Sequence, residues 1–431
     1  MKYYSTNKNS GLVSFKDATI RGQAPDKGLY FPETIPQIDK GLINDIEKKS
    51  NEEIAVQVIK PYVANEIKEE ELFKIVSETV NFPIPLVRVD DNIFSLELFH
   101  GPTLAFKDIG ARFMSRCLGY FLKDENKKIT VLVATSGDTG GAVANGFYNV
   151  PGIDVIILYP SGKVSPVQEK QLTTPGKNIH ALEIEGNFDD CQQLVKQAFA
   201  DDDIRDKLFL TSANSINVAR WLPQQFYYFF AYKQWAEKDH PPVISVPSGN
   251  FGNICAGILA KQSGLPVHHF IAACNANDVV TAYLRTSDFQ PQTAKPTLSN
   301  AMDVGNPSNF IRILEIFHHQ FPDLLKNLSS YSITDEETMA TIKEVYERSG
   351  YTLDPHGAVG YLSLKRFLEI HPGKKGIFLE TAHPVKFPEA VEKATSTEIN
   401  IPSSISALMK NEKNSIKMAA SYELFKNFLL D

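Results

Sequence analysis

Apolar positions along the chain follow two rhythms. Up to about residue 90 they recur at helical spacing, over 43–47, 54–62 and 70–80, which predicts a mainly helical unit. Pro83 and Pro85 break that pattern. Beyond them, strands and helices alternate. Residues 93–99 are strand-like, and Ile109, Phe113, Cys117 and Phe121 mark one helix face. Residues 129–134 form a continuous apolar run, as in a strand buried on both sides. A glycine-containing turn and a helix over 141–148 follow, then strands at 155–159, 243–246, 269–273 and 377–380. An aromatic-rich helical stretch, 217–237, separates the two groups of strands. The pattern predicts an α/β chain with two lobes of parallel-type sheet flanked by helices and a cleft between them. The divisions fall at 1–90 (helical N-terminal region), 91–235 (first lobe), 236–397 (second lobe) and 398–431 (a tail of helix and loops).

Composition narrows the class. The 431 residues carry a net charge of −7 and no long basic run, which argues against a nucleic-acid partner. No apolar stretch reaches the roughly 18 residues of a membrane span, and the first residues lack a signal-peptide core. The four cysteines, Cys117, Cys191, Cys255 and Cys274, form no CxxC. They read as buried thiols in a reducing, cytoplasmic setting, with neither a disulfide framework nor a metal site.

Five segments carry candidate chemistry. In FHGPTLAFKD (99–108), Lys107 sits between apolar neighbours where a strand gives way to a helix. Burial lowers a lysine pKa, as a Schiff-base amine requires, although a helix-start lysine can also snorkel to water. TSGDTGG (135–141) follows a buried strand and offers backbone N–H groups with the hydroxyls of Ser136 and Thr139, an anion cradle or a capped turn. PSGNFGN (247–253) also joins strand to helix. Its Gly249 and Gly252 let backbone approach a phosphate, and it matches neither GxGxxG nor a Walker loop. NSINVAR (214–220) offers Ser215 and Arg220 to a phosphate monoester, or an N-cap and a surface arginine. ETAHPVK (380–386) places Thr381 and His383 at a strand end, where ligands collect in parallel sheets, although His383 alone reads better as a structural histidine.

In this order, FHGPTLAFKD, SGDTG, NSINVAR, SGNFGN and ETAHP resemble the threonine synthases, in their longer form with an extra N-terminal region. SGNFGN alone is shared with the wider tryptophan-synthase-β-like group. The resemblance implies pyridoxal 5′-phosphate held on Lys107, with its phosphate cupped by Gly249, Asn250, Phe251, Gly252 and Asn253 and its ring nitrogen facing Thr381. Ser136 would bind the substrate carboxylate. Thr139, Ser215, Arg220 and Asn250 would bind the substrate phosphate. Asp138 takes a place beside the cofactor where relatives often have Asn, and an ionised carboxylate cannot donate there. The implied activity converts O-phospho-L-homoserine and water to L-threonine and phosphate, in a monomer or homodimer. The alternatives are a phospholyase or dehydratase on the same fold, or a catalytically silent ligand-binding relative.

Overall fold

The computed structural model describes residues 1–123 and 128–431. Two sheets organise it. The larger has six described strands in the order Leu328–Ser332, His269–Cys274, Val243–Pro247, Gly376–Glu380, Ile93–Glu97, Leu86–Arg88. Its neighbours are parallel, except the antiparallel last pair. The smaller is wholly parallel, in the order Ile416–Ala419, Ile179–Glu185, Ile153–Pro160, Ile129–Ala134, Phe209–Ser212. The inner strand Ile129–Ala134 is buried at every position, as its unbroken apolar run requires.

The two lobes interleave in sequence more than the apolar rhythm suggested. Strand Ile93–Glu97, expected in the first lobe, pairs with Gly376–Glu380 in the sheet of the second. The tail, expected to be helix and loops, supplies strand Ile416–Ala419 to the sheet of the first. The N-terminal region is mainly helical but opens with a short antiparallel pair, Tyr3–Ser5 with Tyr30–Pro32. Its helix Asn51–Val63 starts at a capping box in which Ser50 and Glu53 satisfy each other's backbone N–H groups. The stretch predicted as one aromatic helix is broken: Val218–Trp221, then a 3-10 turn at Leu222–Gln224, then Gln225–Gln234. Pro223 lacks the N–H that a continuous helix needs. Helix Gln225–Gln234 is buried from Gln225 to Tyr232, so it is apolar all round instead of amphipathic and lies in the core. All four cysteines are buried free thiols, and no described helix is long and apolar enough to cross a membrane.

Candidate active site

Lys107 is the first residue of helix Lys107–Leu122, whose apolar positions Ile109, Phe113, Cys117 and Phe121 face the core. The segment before it is clamped to the end of strand Gly376–Glu380. Phe106 N–H donates to the Thr381 carbonyl at 2.9 Å, and His383 N–H donates to the Leu104 carbonyl at 3.0 Å. Lys107 and Thr381, nearly 300 residues apart in sequence, are thereby held in one place. Lys107 is half-buried as a residue, while its ammonium is enclosed by protein. Burial pushes its pKa down from 10.5 to about 8, with Asp138 opposing the shift and Lys386 and Arg220 adding to it.

The 135–141 turn is held by Thr135, whose Oγ1 accepts from the N–H groups of Gly137 at 3.0 Å and Gly140 at 2.9 Å. Gly137 has φ 142°, and a Cβ there would strike Gln168, so glycine is required. Ser136 and Thr139 stand half-buried on this turn. Asp138 opens helix Asp138–Phe147 and is buried. Its Oδ1 lies 2.6 Å from the Lys386 ammonium and accepts from Gln168 Nε2 at 2.9 Å. Lys386 and Lys107 hold its carboxyl well below the usual range, against the opposing effect of burial.

The 248–253 loop crosses from strand Val243–Pro247 to helix Gly252–Gln262. Phe251 adopts a left-handed backbone (φ 59°), uncommon for a bulky residue and of the order of 1–3 kcal/mol in cost. Its ring packs edge-on against Phe310. At Gly249 a Cβ would come within 2.6 Å of the Met302 Cα. Asn250 Nδ2 donates to Ser215 Oγ at 2.9 Å, so two of the expected phosphate-binding groups meet. Asn253 Oδ1 is taken by the Tyr228 hydroxyl at 2.8 Å, and its Nδ2 has no partner.

Two residues without sequence signal complete this corner. Asn309 donates to Ser215 Oγ and to the Asn250 carbonyl, each at 3.0 Å. Arg312, fully buried, uses all five N–H groups: on the Tyr30 carbonyl twice, the Ser215 and Ile216 carbonyls, and Asn309 Oδ1. Arg220 contrasts with it. It is also buried, yet its Nε and Nη1 have no partner. Burial lowers its pKa to about 10. Arg220 packs on the first turn of the lysine helix, where a Cβ at Gly110 would come within 2.6 Å of its carbonyl.

Behind Thr381 lies a second buried group. Glu380 Oε1 accepts from Asp354 N–H at 2.6 Å, while Glu380 Oε2 and Asp354 Oδ2 have no partner. Asp354 Oδ1 holds His356 Nδ1 at 2.5 Å, and His356 Nε2 accepts from Ala301 N–H, next to Met302 and hence to Gly249. Burial and the Asp354 charge raise the Glu380 pKa well above its ordinary 4.5. Because the folded value lies above the unfolded one, this stabilisation is full below about pH 4.5 and is lost as pH rises towards the folded value. Glu380→Gln is therefore expected to stabilise the protein relative to wild type by a margin that widens with pH, up to about 1.4 kcal/mol per unit in that window. Unfolding curves at pH 5 and pH 8 measure it, and a margin that narrows with pH would exclude a protonated Glu380. His383 Nδ1 accepts from Val385 N–H at 3.1 Å, capping the turn that follows, and burial pushes its pKa down to about 4.

Pyridoxal phosphate fits these residues. An aldehyde needs an enclosed amine with a depressed pKa, which Lys107 supplies. A phosphate needs a glycine-lined loop at the start of a helix, whose first-turn N–H groups lack intrahelical partners, and residues 249–253 supply it.

Comparison with known proteins agrees. The family model described as "Pyridoxal-phosphate dependent enzyme" matches residues 80–380, "Threonine synthase N terminus" residues 2–80 and "Threonine synthase, C-terminal" residues 357–429. Threonine synthase of Serratia marcescens is 43% identical over 431 residues, covering 100% of this chain and 99% of the relative. The crystal structure of threonine synthase from Escherichia coli superposes with a TM-score of 0.93 at 42% identity, covering 100% of this chain and 99% of that one. A threonine synthase from Brucella melitensis, solved with pyridoxal phosphate bound, gives 0.94 at 37% identity, covering 100% and 98%. With matches that run its whole length in both sequence and structure, the chain belongs to the threonine synthase family of pyridoxal-phosphate-dependent enzymes.

Proposed function

We propose that the protein converts O-phospho-L-homoserine and water to L-threonine and phosphate. The observation that carries this reading is the buried Arg220 guanidinium, with Nε and Nη1 unpartnered, which packs against the lysine helix and shares a short segment with Ser215, itself bonded to Asn250. A buried guanidinium without an anion is costly, and a phosphate monoester is the anion its fork matches. A dehydratase substrate has no phosphate to offer it.

Bound pyridoxal phosphate supplies an electron sink for negative charge at the substrate carbon beside the amine. The chain's own groups do the rest. Gly249, Asn250, Phe251, Gly252 and Asn253 would hold the cofactor phosphate, and Thr381 would offer its hydroxyl to the ring nitrogen. Lys107, with a pKa of about 8, exchanges a proton near neutral pH and takes the α-proton at its Nζ. Ser136 orients the substrate carboxylate. Arg220, Ser215, Asn250 and Thr139 bind the phosphate and neutralise charge as it departs. A second proton leaves the β-carbon as the phosphate departs from the γ-carbon, water adds at the β-carbon, and protons return to the γ- and α-carbons. The protein works on this small molecule in the cytoplasm, as a monomer or homodimer.

Holoenzyme incubated with O-phospho-L-homoserine is expected to release threonine and phosphate in equal amounts. Phosphate with 2-oxobutyrate and ammonia would make it a phospholyase, and bound cofactor without turnover a silent relative.

A further inference from the structure

The cluster holds two lysines. Lys386, from the 3-10 turn Pro384–Lys386, has no exposed surface, and the mechanism above gives it no role. Its Nζ lies 2.6 Å from Asp138 Oδ1 and donates to the Thr103 carbonyl at 2.9 Å. Gln168 fixes the same carboxylate from the helix Pro166–Thr173. Asp138 is the anion acting on Lys107, so a carboxylate that favours the Lys107 ammonium belongs to the same buried cluster.

We propose that Lys386 is a positioning residue that engages Asp138 and so keeps that carboxylate from pairing with Lys107, deciding which of the two lysines is the free amine. The inference rests on Lys107 being the cofactor lysine. The Lys386 amine is occupied by the Asp138 carboxylate and the Thr103 carbonyl, while Lys107 is left to desolvation. The charged groups around Lys107 divide accordingly. Asp138, on helix Asp138–Phe147, favours its ammonium. Lys386 and Arg220, on helix Val218–Trp221, oppose it. Asp108, the next residue, is turned away: its carboxylate accepts from the Thr103 hydroxyl at 2.6 Å and N–H at 2.9 Å. The Tyr227 hydroxyl, on helix Gln225–Gln234, is occupied by the Phe106 carbonyl. With Lys386 removed, Asp138 has Lys107 as its remaining cation, and the Lys107 amine holds its proton to higher pH.

The test reads attachment and not turnover. The Lys107 Nζ forms a bond to the cofactor's aldehyde carbon, the carbonyl oxygen leaves as water, and cyanoborohydride hydride fixes the bond. Cofactor-free protein is exposed briefly to pyridoxal phosphate and cyanoborohydride across pH 6–10, and peptide mass spectrometry scores each lysine. Wild type is expected to show a midpoint for Lys107 near pH 8, following its pKa of about 8. Lys386→Met should raise that midpoint by about one unit or more. Lys386→Arg, which keeps the charge, should hold it near wild type. Asp138→Asn should lower it, and the Lys386→Met/Asp138→Asn double variant should return it near wild type. If Lys386→Met does not fold, the double variant and Asp138→Asn decide between the readings. Midpoints for Lys107 that ignore Lys386 and Asp138 overturn the role of the pair alone. Attachment at another lysine in wild type overturns the cofactor lysine and this inference with it.

Discussion

Lys107→Ala is expected to abolish threonine formation in a protein that remains folded, with no cofactor fixed to the chain by borohydride. The amine is the proposed attachment point and the proposed base, and general-base catalysis alone is worth about 10²–10⁴-fold. Stability should move the other way. The folded-state pKa of Lys107 is lowered from 10.5 to about 8, so the folded protein disfavours the ammonium at neutral pH. That cost is present below pH 8 and fades as pH rises towards 10.5. Lys107→Met, which keeps the aliphatic stem, should therefore be more stable than wild type at pH 7, by up to about 3 kcal/mol before screening by cleft water. The gain should vanish near pH 10. Calorimetry of cofactor-free protein at both pH values, with absorbance and product analysis, checks the set. Residual threonine formation from Lys107→Ala would exclude its role as base.

Arg220→Met carries the other large effect. Loss of a buried charge-assisted contact to phosphate costs about 2–5 kcal/mol in kcat/KM, or roughly 30-fold to several thousandfold. Cofactor attachment at Lys107 should persist. The free protein should not be weakened, because two of the guanidinium's nitrogens have no partner to lose. Removing that unpaired charge is expected to raise the melting temperature in phosphate-free buffer. Inorganic phosphate should stabilise wild type and leave Arg220→Met unchanged. Equal kinetics on O-phospho-L-homoserine would place Arg220 outside the pocket. Arg312→Met should do the reverse and unfold the corner, since each of its N–H groups has an acceptor.

Much of this was legible in the order of residues, for identifiable reasons. Strands buried on both faces, such as Ile129–Ala134 and Val243–Pro247, must be apolar throughout, and continuous runs announce them. Strands Ile179–Glu185 and Ile416–Ala419 expose some of their positions and mix polar with apolar residues there, so they carry no such run. Local sequence also hid which sheet a strand joins: Ile93–Glu97 precedes the lysine helix but pairs with a strand almost 280 residues later. In the site, glycine turns and the lysine segment were readable because their geometry is local. Asn309, Arg312 and Lys386 were not. Their partners, Ser215, Tyr30 and Asp138, are distant in the chain, and a polar residue looks ordinary until its partner is known. Asp138 was ambiguous for the same reason, since its state depends on Lys386.

Arg312 gives the N-terminal region a thermodynamic voice in the phosphate corner. One planar guanidinium fastens Tyr30 to Ser215, Ile216 and Asn309, so a fluctuation that frees Tyr30 also releases the carbonyl next to the Ser215 hydroxyl. Linkage is reciprocal. On the proposal that Ser215 binds phosphate, the free energy gained from an ordered Ser215 is returned as resistance of strand Tyr30–Pro32 to local opening. The first residues of the chain are in this sense mechanically tied to the corner that holds Ser215 and not a detachable preface to it. A lysine could not take the place of Arg312, because three donors radiating from a point cannot bind four acceptors spread around a plane.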